Sequence, residues 1–191
     1  ADLTKSLVHP YVPRFPRHVS YDLVLFGSWR RKGVYVGEKQ IASPGSYPVA
    51  GFNFAPMYNL NYKLRFGVSL DGVYDGSANV YTEDALVEYD AGSGSSRRKF
   101  LVPGIQNQLA LGLSGRAEYV MPFFTIGVGL GTNVLGRGDL RGLYQVFALK
   151  INVTRSSFLH IGYNLQDFQT PNYLMLGLGF RFNNKYPKVR H

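Results

Sequence analysis

Large apolar residues recur at every second position in several segments of this chain, and no other feature constrains its fold as much. In KLRFGVSLDGVYD, residues 63–75, Leu64, Phe66 and Val68 are separated by charged or small residues. Residues 106–120, 121–134 and 173–182 repeat this pattern. A period of two places alternate side chains on opposite faces of a β-strand. The pattern therefore predicts strands with one apolar face and one polar or small face.

Four further segments bring the predicted number of strands to about eight, the smallest usual number for a membrane barrel. These segments are Tyr21–Arg30, Val49–Leu60, Leu143–Thr154 and Ser157–Gln166. Lengths of about ten residues suit tilted strands that cross a bilayer.

The links between the predicted strands alternate between short and long. Short links lie near Asn61, Met121 and Arg155, and long links cover residues 31–47, 76–104, 135–142 and 167–171. Outer-membrane barrels have short periplasmic turns and longer external loops, so the alternation predicts that class.

The composition of the non-apolar face of each strand distinguishes a membrane barrel from the alternative, a soluble lipocalin-like barrel. A soluble barrel turns its polar face to water. Here that face is mostly Gly, Ala, Ser, Thr and Asn, and charged residues make up only 17% of the chain. Small neutral side chains suit a crowded barrel interior, so the apolar face is predicted to contact lipid. The predicted fold is an all-β, eight-stranded antiparallel transmembrane barrel of a Gram-negative-type outer membrane.

Charged residues on the inner face need partners, because unpaired ions are costly in a dry lumen. Both signs are present, which predicts a paired network that plugs the lumen and leaves no open pore. The predicted members are Arg65, Asp71, Arg116, Glu118, Lys150 and Arg181.

The net charge of +9 indicates an anionic partner. Two basic clusters lie where loops are predicted, and they are candidates for binding the phosphates of lipopolysaccharide. The clusters are Arg30, Arg31 and Lys32, and Arg97, Arg98 and Lys99. No nucleic-acid recognition motif accompanies the charge, and no motif predicts a metal or a cofactor.

The segment HIGYNLQDFQTPNYLML, from His160 to Leu176, resembles the end of the lipid A 3-O-deacylase family. The whole chain also resembles the acyloxyacyl-hydrolase-like barrels near that family. The resemblance implies an outer-membrane barrel that removes an ester-linked acyl chain, with His160 as general base and Asn164 beside it. It matches the family's Pro-Asn pair at Pro171–Asn172.

The chain departs from that family at the positions that carry the chemistry. The nucleophile position, two residues after His160, is Gly162, and no glutamate follows Asn172 closely. A serine-type hydrolase needs a nucleophile, a base and an orienting group within hydrogen-bond reach. The alternation also directs His160 into the lumen unless a β-bulge re-aims it.

Two functions are therefore open. The favoured one is a non-catalytic structural or accessory component that packs in a larger outer-membrane assembly or binds lipopolysaccharide. The alternative is a lipid A ester hydrolase that uses His160 as base. The predicted organisation is a periplasmic arm over residues 1–19, a barrel over residues 20–183 and a basic tail over residues 184–191, and these ends are candidates for binding other envelope proteins.

Overall fold

The computed structural model describes residues 14–30, 33–36, 39–42, 46–79, 81–89, 96–101, 104–166 and 170–186 of the chain. Within them the strands are β1 (His18–Arg30), β2 (Gly33–Val36), β3 (Lys39–Ala42), β4 (Tyr47–Asn59), β5 (Leu64–Asp75), β6 (Tyr81–Tyr89), β7 (Ser96–Leu101), β8 (Leu109–Val120), β9 (Phe124–Leu135), β10 (Leu143–Asn152), β11 (Ser157–Gln166) and β12 (Thr170–Phe182). Short 3-10 turns cover Ile105–Asn107 and Gly138–Leu140. No helix in the described ranges has the length and apolar character needed to cross a membrane.

Eight strands form a closed barrel in the order β1-β12-β11-β10-β9-β8-β5-β4. Barrel strands that follow one another along the chain are neighbours, and every pair is antiparallel. The prediction of an eight-stranded antiparallel barrel is confirmed. Closure pairs β1 with β12 and removes the free edges of the sheet.

Two of the long links contain strands that alternation did not predict. The first holds the antiparallel pair β2–β3, and the link over residues 76–108 holds the pair β6–β7. These hairpins lie outside the barrel sheet.

The apolar faces of the barrel strands point outward, as the alternation predicts. On β8, Leu113 is 52% exposed whereas its neighbour Ser114 is 3% exposed. Phe123 and Trp29 are highly exposed and lie near opposite ends of the barrel, as in the aromatic girdles of membrane barrels. An apolar outer wall around an interior that holds buried charged side chains is the reverse of a soluble barrel, so the lipocalin-like alternative is wrong.

The short links are tight turns, and they share one end of the barrel. In the β4–β5 turn, Asn61 Oδ1 accepts hydrogen bonds from the backbone N–H groups of Lys63 and Leu64, both at 2.8 Å. An asparagine that bonds the backbone two residues ahead stabilises such a turn. With eight barrel strands, the start of β1 and the end of β12 lie at this same end. We call it the short-turn end and the opposite one the long-loop end.

Candidate functional site

A buried ion cluster centred on Asp22 fills the short-turn half of the lumen. Asp22 Oδ2 accepts from Arg65 Nη2 and, at 2.8 Å, from Lys150 Nζ. Arg181 Nε donates to Asp22 Oδ1 at 2.9 Å. The carboxylate is enclosed, with none of its residue surface exposed. It is stabilised in this dry position because three cations contact it.

Glu118 is the second carboxylate of this cluster. Its Oε2 forms an ion pair with Arg65 Nε at 2.9 Å, and its Oε1 accepts a hydrogen bond from Lys150 Nζ at 2.6 Å. Lys150 Nζ and the Arg181 guanidinium also lie 5.0 Å and 5.2 Å from the centre of the Phe158 ring. A cation over an aromatic face gains a further electrostatic attraction, which is stronger when water is excluded.

Asp71 organises a second polar cluster, nearer the long-loop end. Arg116 Nη2 donates to its Oδ1 at 2.8 Å. Four further side chains donate to the carboxylate, each at 2.6 Å: Asn53, Ser69, Ser114 and Tyr144. A carboxylate with this many donors holds its neighbours in fixed positions, because leaving a donor unpaired is costly.

The two clusters and the side chains between them fill the barrel interior. On the long-loop side of Asp71, a cavity of about 30 Å³ is lined by residues that include Asn53, Tyr144 and Asn164. That volume holds one or two water molecules rather than an organic ligand. A barrel of eight strands is narrow enough to be filled by its own side chains.

His160 points into the lumen between the clusters. It is 1% exposed, and it lies in register with Lys150 on β10 and Gly177 on β12. Neither ring nitrogen has a hydrogen-bond partner among the described residues. No described hydroxyl is therefore placed for the imidazole to activate as a nucleophile.

Gly162 makes room for this imidazole. A Cβ atom at Gly162 would lie 2.8 Å from His160 Nε2 and 2.6 Å from Met175 Cε. A side chain here would displace one of these buried groups, so the position cannot hold a serine without rearrangement.

The β11–β12 pairing has an irregularity, but it does not re-aim His160. The register shifts between Asn164 and Leu165, beyond the histidine in the chain. Asn164 remains an inward residue that is buried beside the small cavity. Pro171 and Asn172 belong to β12 and not to a loop, with Pro171 opposite Leu165.

The first basic cluster begins at the end of β1. Arg30 Nη1 donates to Asp75 Oδ2 at 2.8 Å, which ties β1 to the end of β5. Arg31 and Lys32 lie outside the described residues. Arg30 is thus committed to an ion pair inside the chain and has less capacity to bind an external phosphate.

The second cluster, Arg97, Arg98 and Lys99, lies in β7. In the β6–β7 register Arg97 is opposite Glu88 and Arg98 is opposite Val87. The described residues add two exposed cations at the long-loop end that the sequence did not single out, Arg137 and Arg141.

Sequence reasoning also missed Asp22, Tyr144 and Phe158. Asp22 stands in the predicted strand Tyr21–Arg30 and alternates with Leu23, so the period of two already directs it inward. Tyr144 and Phe158 share the parity of the inward residues Lys150 and His160, so the period of two directs them inward as well. The structure shows both residues buried in the lumen.

A family model described as "Acyloxyacyl hydrolase, C-terminal domain" matches residues 19–184. No curated protein matches the chain.

Among solved structures, Ail, the attachment invasion locus protein of Yersinia pestis, is 15% identical with a TM-score of 0.43, over 86% of this chain and 98% of that chain. Neisserial surface protein A is also 15% identical, with a TM-score of 0.39 over 86% of this chain and 95% of that chain. The apolar outer wall and the family match agree on a barrel of the outer membrane. The chain belongs to the acyloxyacyl hydrolase C-terminal domain family.

Proposed function

We propose that this protein is a non-catalytic outer-membrane barrel, a structural or accessory component that packs in a larger assembly and binds lipopolysaccharide. The observation that carries the proposal is the enclosure of His160 in the lumen. An ester of a membrane lipid reaches the outer wall of the barrel, whereas the imidazole is 1% exposed and has no hydroxyl partner among the described residues.

The ion clusters support a structural role. The Asp22 cluster has five charged side chains, Asp22 included, and the Asp71 cluster has six polar or charged side chains, Asp71 included. Both clusters tie barrel strands together through the lumen. A barrel braced in this way presents a rigid outer wall and a closed interior. These properties suit a packing component better than a channel.

Lipopolysaccharide binding rests on the long-loop end, which faces the cell exterior in outer-membrane barrels. Arg137 and Arg141 are exposed there, and the cluster Arg97, Arg98 and Lys99 lies in the β6–β7 hairpin. Arginine forks bind phosphate oxygens in bidentate fashion, and lysine adds a point charge. The expected ligand group is a phosphate on the lipid A portion of the glycolipid.

A lipid A ester hydrolase is the second candidate, and the family match is the observation that favours it. It requires His160 to reach an ester and a nucleophile other than residue 162. A rearranged β11–β12 pairing that turned the imidazole outward, beside a hydroxyl, would meet both requirements.

The experiment is mass spectrometry of lipid A and of phospholipid after incubation in detergent with the wild-type protein and with His160→Ala. Heat-modifiable migration on gels verifies that both are folded. We expect unchanged acyl content with both proteins. Loss of an acyl chain with wild type but not with His160→Ala would overturn the proposal in favour of the hydrolase.

The proposed binding of lipopolysaccharide is tested by a separate measurement. Titration of the detergent-solubilised protein with each lipid should show that dephosphorylated lipid A binds more weakly than lipid A. The substitutions Arg97→Gln, Arg98→Gln and Lys99→Gln should reduce this difference in affinity between the two lipids. Equal binding of the two lipids would contradict a phosphate site.

A further inference from the structure

A vestibule opens at the short-turn end of the barrel, below the Asp22 cluster. Its volume is about 490 Å³, within the range of small-ligand pockets. We define it by its lining residues: Tyr62, Lys63, Val120, Met121, Pro122, Asn152, Thr154, Arg155, Arg181, Asn184 and Tyr186. In outer-membrane barrels this end faces the periplasm.

The described charged residues that line the vestibule are all cations. They are Lys63, Arg155 and Arg181, and no aspartate or glutamate of the described ranges lines it. Arg181 also belongs to the Asp22 cluster, in which three cations face two carboxylates and leave a net charge of +1. A concave, low-dielectric site of one sign concentrates ions of the other sign.

The buried hydroxyl of Tyr186, a residue that lines the vestibule, has no hydrogen-bond partner among the described residues. Burial raises the pKa of Tyr186, so its hydroxyl stays protonated and able to donate. Buried donors are normally paired, and an acceptor that enters the vestibule would pair this one.

The walls of the vestibule are held in place by both ends of the chain. Arg155 Nη2 donates to the backbone carbonyl oxygens of Asn184, at 3.3 Å, and Tyr186, at 3.0 Å. Phe15 contacts Tyr62 and Tyr186 edge to face, with ring centres 4.8 Å and 5.0 Å apart. A site whose side chains are already ordered loses less entropy when a ligand binds.

We propose that this vestibule binds the carboxylates of an acidic peptide segment from a periplasmic partner. The inference deepens the proposed function, because it rests on the accessory role and names the partner chemistry. A volume of about 490 Å³ exceeds what a single free anion fills. Val120, Met121 and Pro122 add apolar wall for the side chains and backbone of a peptide.

The test is fluorescence anisotropy with the full-length protein in detergent micelles at low ionic strength. The probes are labelled hexaglutamate and hexaglutamine peptides, with acetate and inorganic phosphate as free-anion competitors. We expect hexaglutamate to bind and hexaglutamine not to bind. We expect acetate and phosphate to compete only at much higher concentration, because one anion uses a small part of the site.

The decisive variant is Lys63→Gln with Arg155→Gln. Lys63→Gln alone is the second variant. The Lys63 side chain is exposed, and only its backbone N–H bonds Asn61 in the turn, so this change leaves the turn intact. It also keeps the bonds from Arg155 to the carbonyl oxygens of Asn184 and Tyr186. We expect the double variant to weaken hexaglutamate binding by about tenfold and the single variant to weaken it by less. The matched control is Arg14→Gln with Arg17→Gln, which removes the same charge from exposed residues that do not line the vestibule.

Equal weakening by the control pair would overturn the proposal, because it would show a nonspecific response to net charge. Hexaglutamate that binds no tighter than acetate would overturn it in favour of a free-anion site. Ester hydrolysis in the lipid A experiment would overturn the proposed function without changing the binding measured here. Loss of peptide binding would leave the lipid A result unchanged.

Discussion

Asp22 and Arg181 face each other across the seam that closes the barrel. They are register partners on β1 and β12, 159 positions apart in the chain, and Arg181 Nε donates to Asp22 Oδ1 at 2.9 Å. The first and last strands are thus joined by an ion pair inside the lumen as well as by the backbone ladder. Asp22 also contacts Arg65 and Lys150, so one carboxylate links β1 with β5, β10 and β12.

Replacing Asp22 by Asn is expected to lower the free energy of unfolding by about 3–5 kcal/mol, because it leaves buried cations without their counter-ion. Urea unfolding in lipid vesicles, followed by tryptophan fluorescence, measures the change. Adding Lys150→Met should recover part of the loss, since it removes one of the unpaired charges. An Asp22→Asn protein as stable as wild type would show that the cluster is hydrated or otherwise compensated.

Replacing Phe158 by Leu tests the cation–π contacts. We expect the free energy of unfolding to fall by about 2–3 kcal/mol, because leucine is smaller than phenylalanine and lacks the ring that attracts Lys150 and Arg181. Phe147→Leu is the control, because Phe147 is 51% exposed on the outer wall and contacts lipid instead of ions. Equal losses in the two variants, in the same unfolding measurement, would contradict a special role of the Phe158 ring.

Introducing a serine at the family's nucleophile position tests the packing around His160. Gly162→Ser is expected to destabilise the barrel by about 1–3 kcal/mol, because its Cβ would crowd Met175 and the imidazole. Gly115→Ala is the matched control, since its Cβ would meet nothing nearer than an atom at 4.0 Å. A stable Gly162→Ser protein that cleaves lipid A would mean that the site converts to catalysis without rearrangement.

The filled lumen predicts that the protein does not conduct ions. Planar bilayer recordings with the reconstituted wild-type protein should show no discrete current steps, whereas a porin in the same bilayer conducts. Asp22→Ala with Asp71→Ala, which removes the centres of both clusters, is the variant most able to open a path. Stepwise currents from the wild-type protein would contradict the plugged interior.

The sequence predicted most of the barrel because membrane and lumen impose a strict period of two on each strand. Tyr21–Arg30 and Ser157–Gln166 were recognisable from local pattern alone, and link lengths placed both termini at one end. The β6–β7 hairpin was not recognised, because its residues do not alternate between an apolar and a polar side. The division into arm, barrel and tail stays a prediction, with β1 beginning at His18, inside the predicted arm.

The sequence by itself determined which residues face inward, since that depends only on parity along a strand. It directed His160 away from lipid, and it made Gly162 incapable of nucleophilic attack. It could not determine which inward charges meet, because the partners of Asp22 come from strands far apart in the chain. Their contacts depend on barrel closure and on the stagger between strands. Only the tertiary structure therefore made Asp22 the centre of the ion cluster and left the nitrogens of His160 without a described partner.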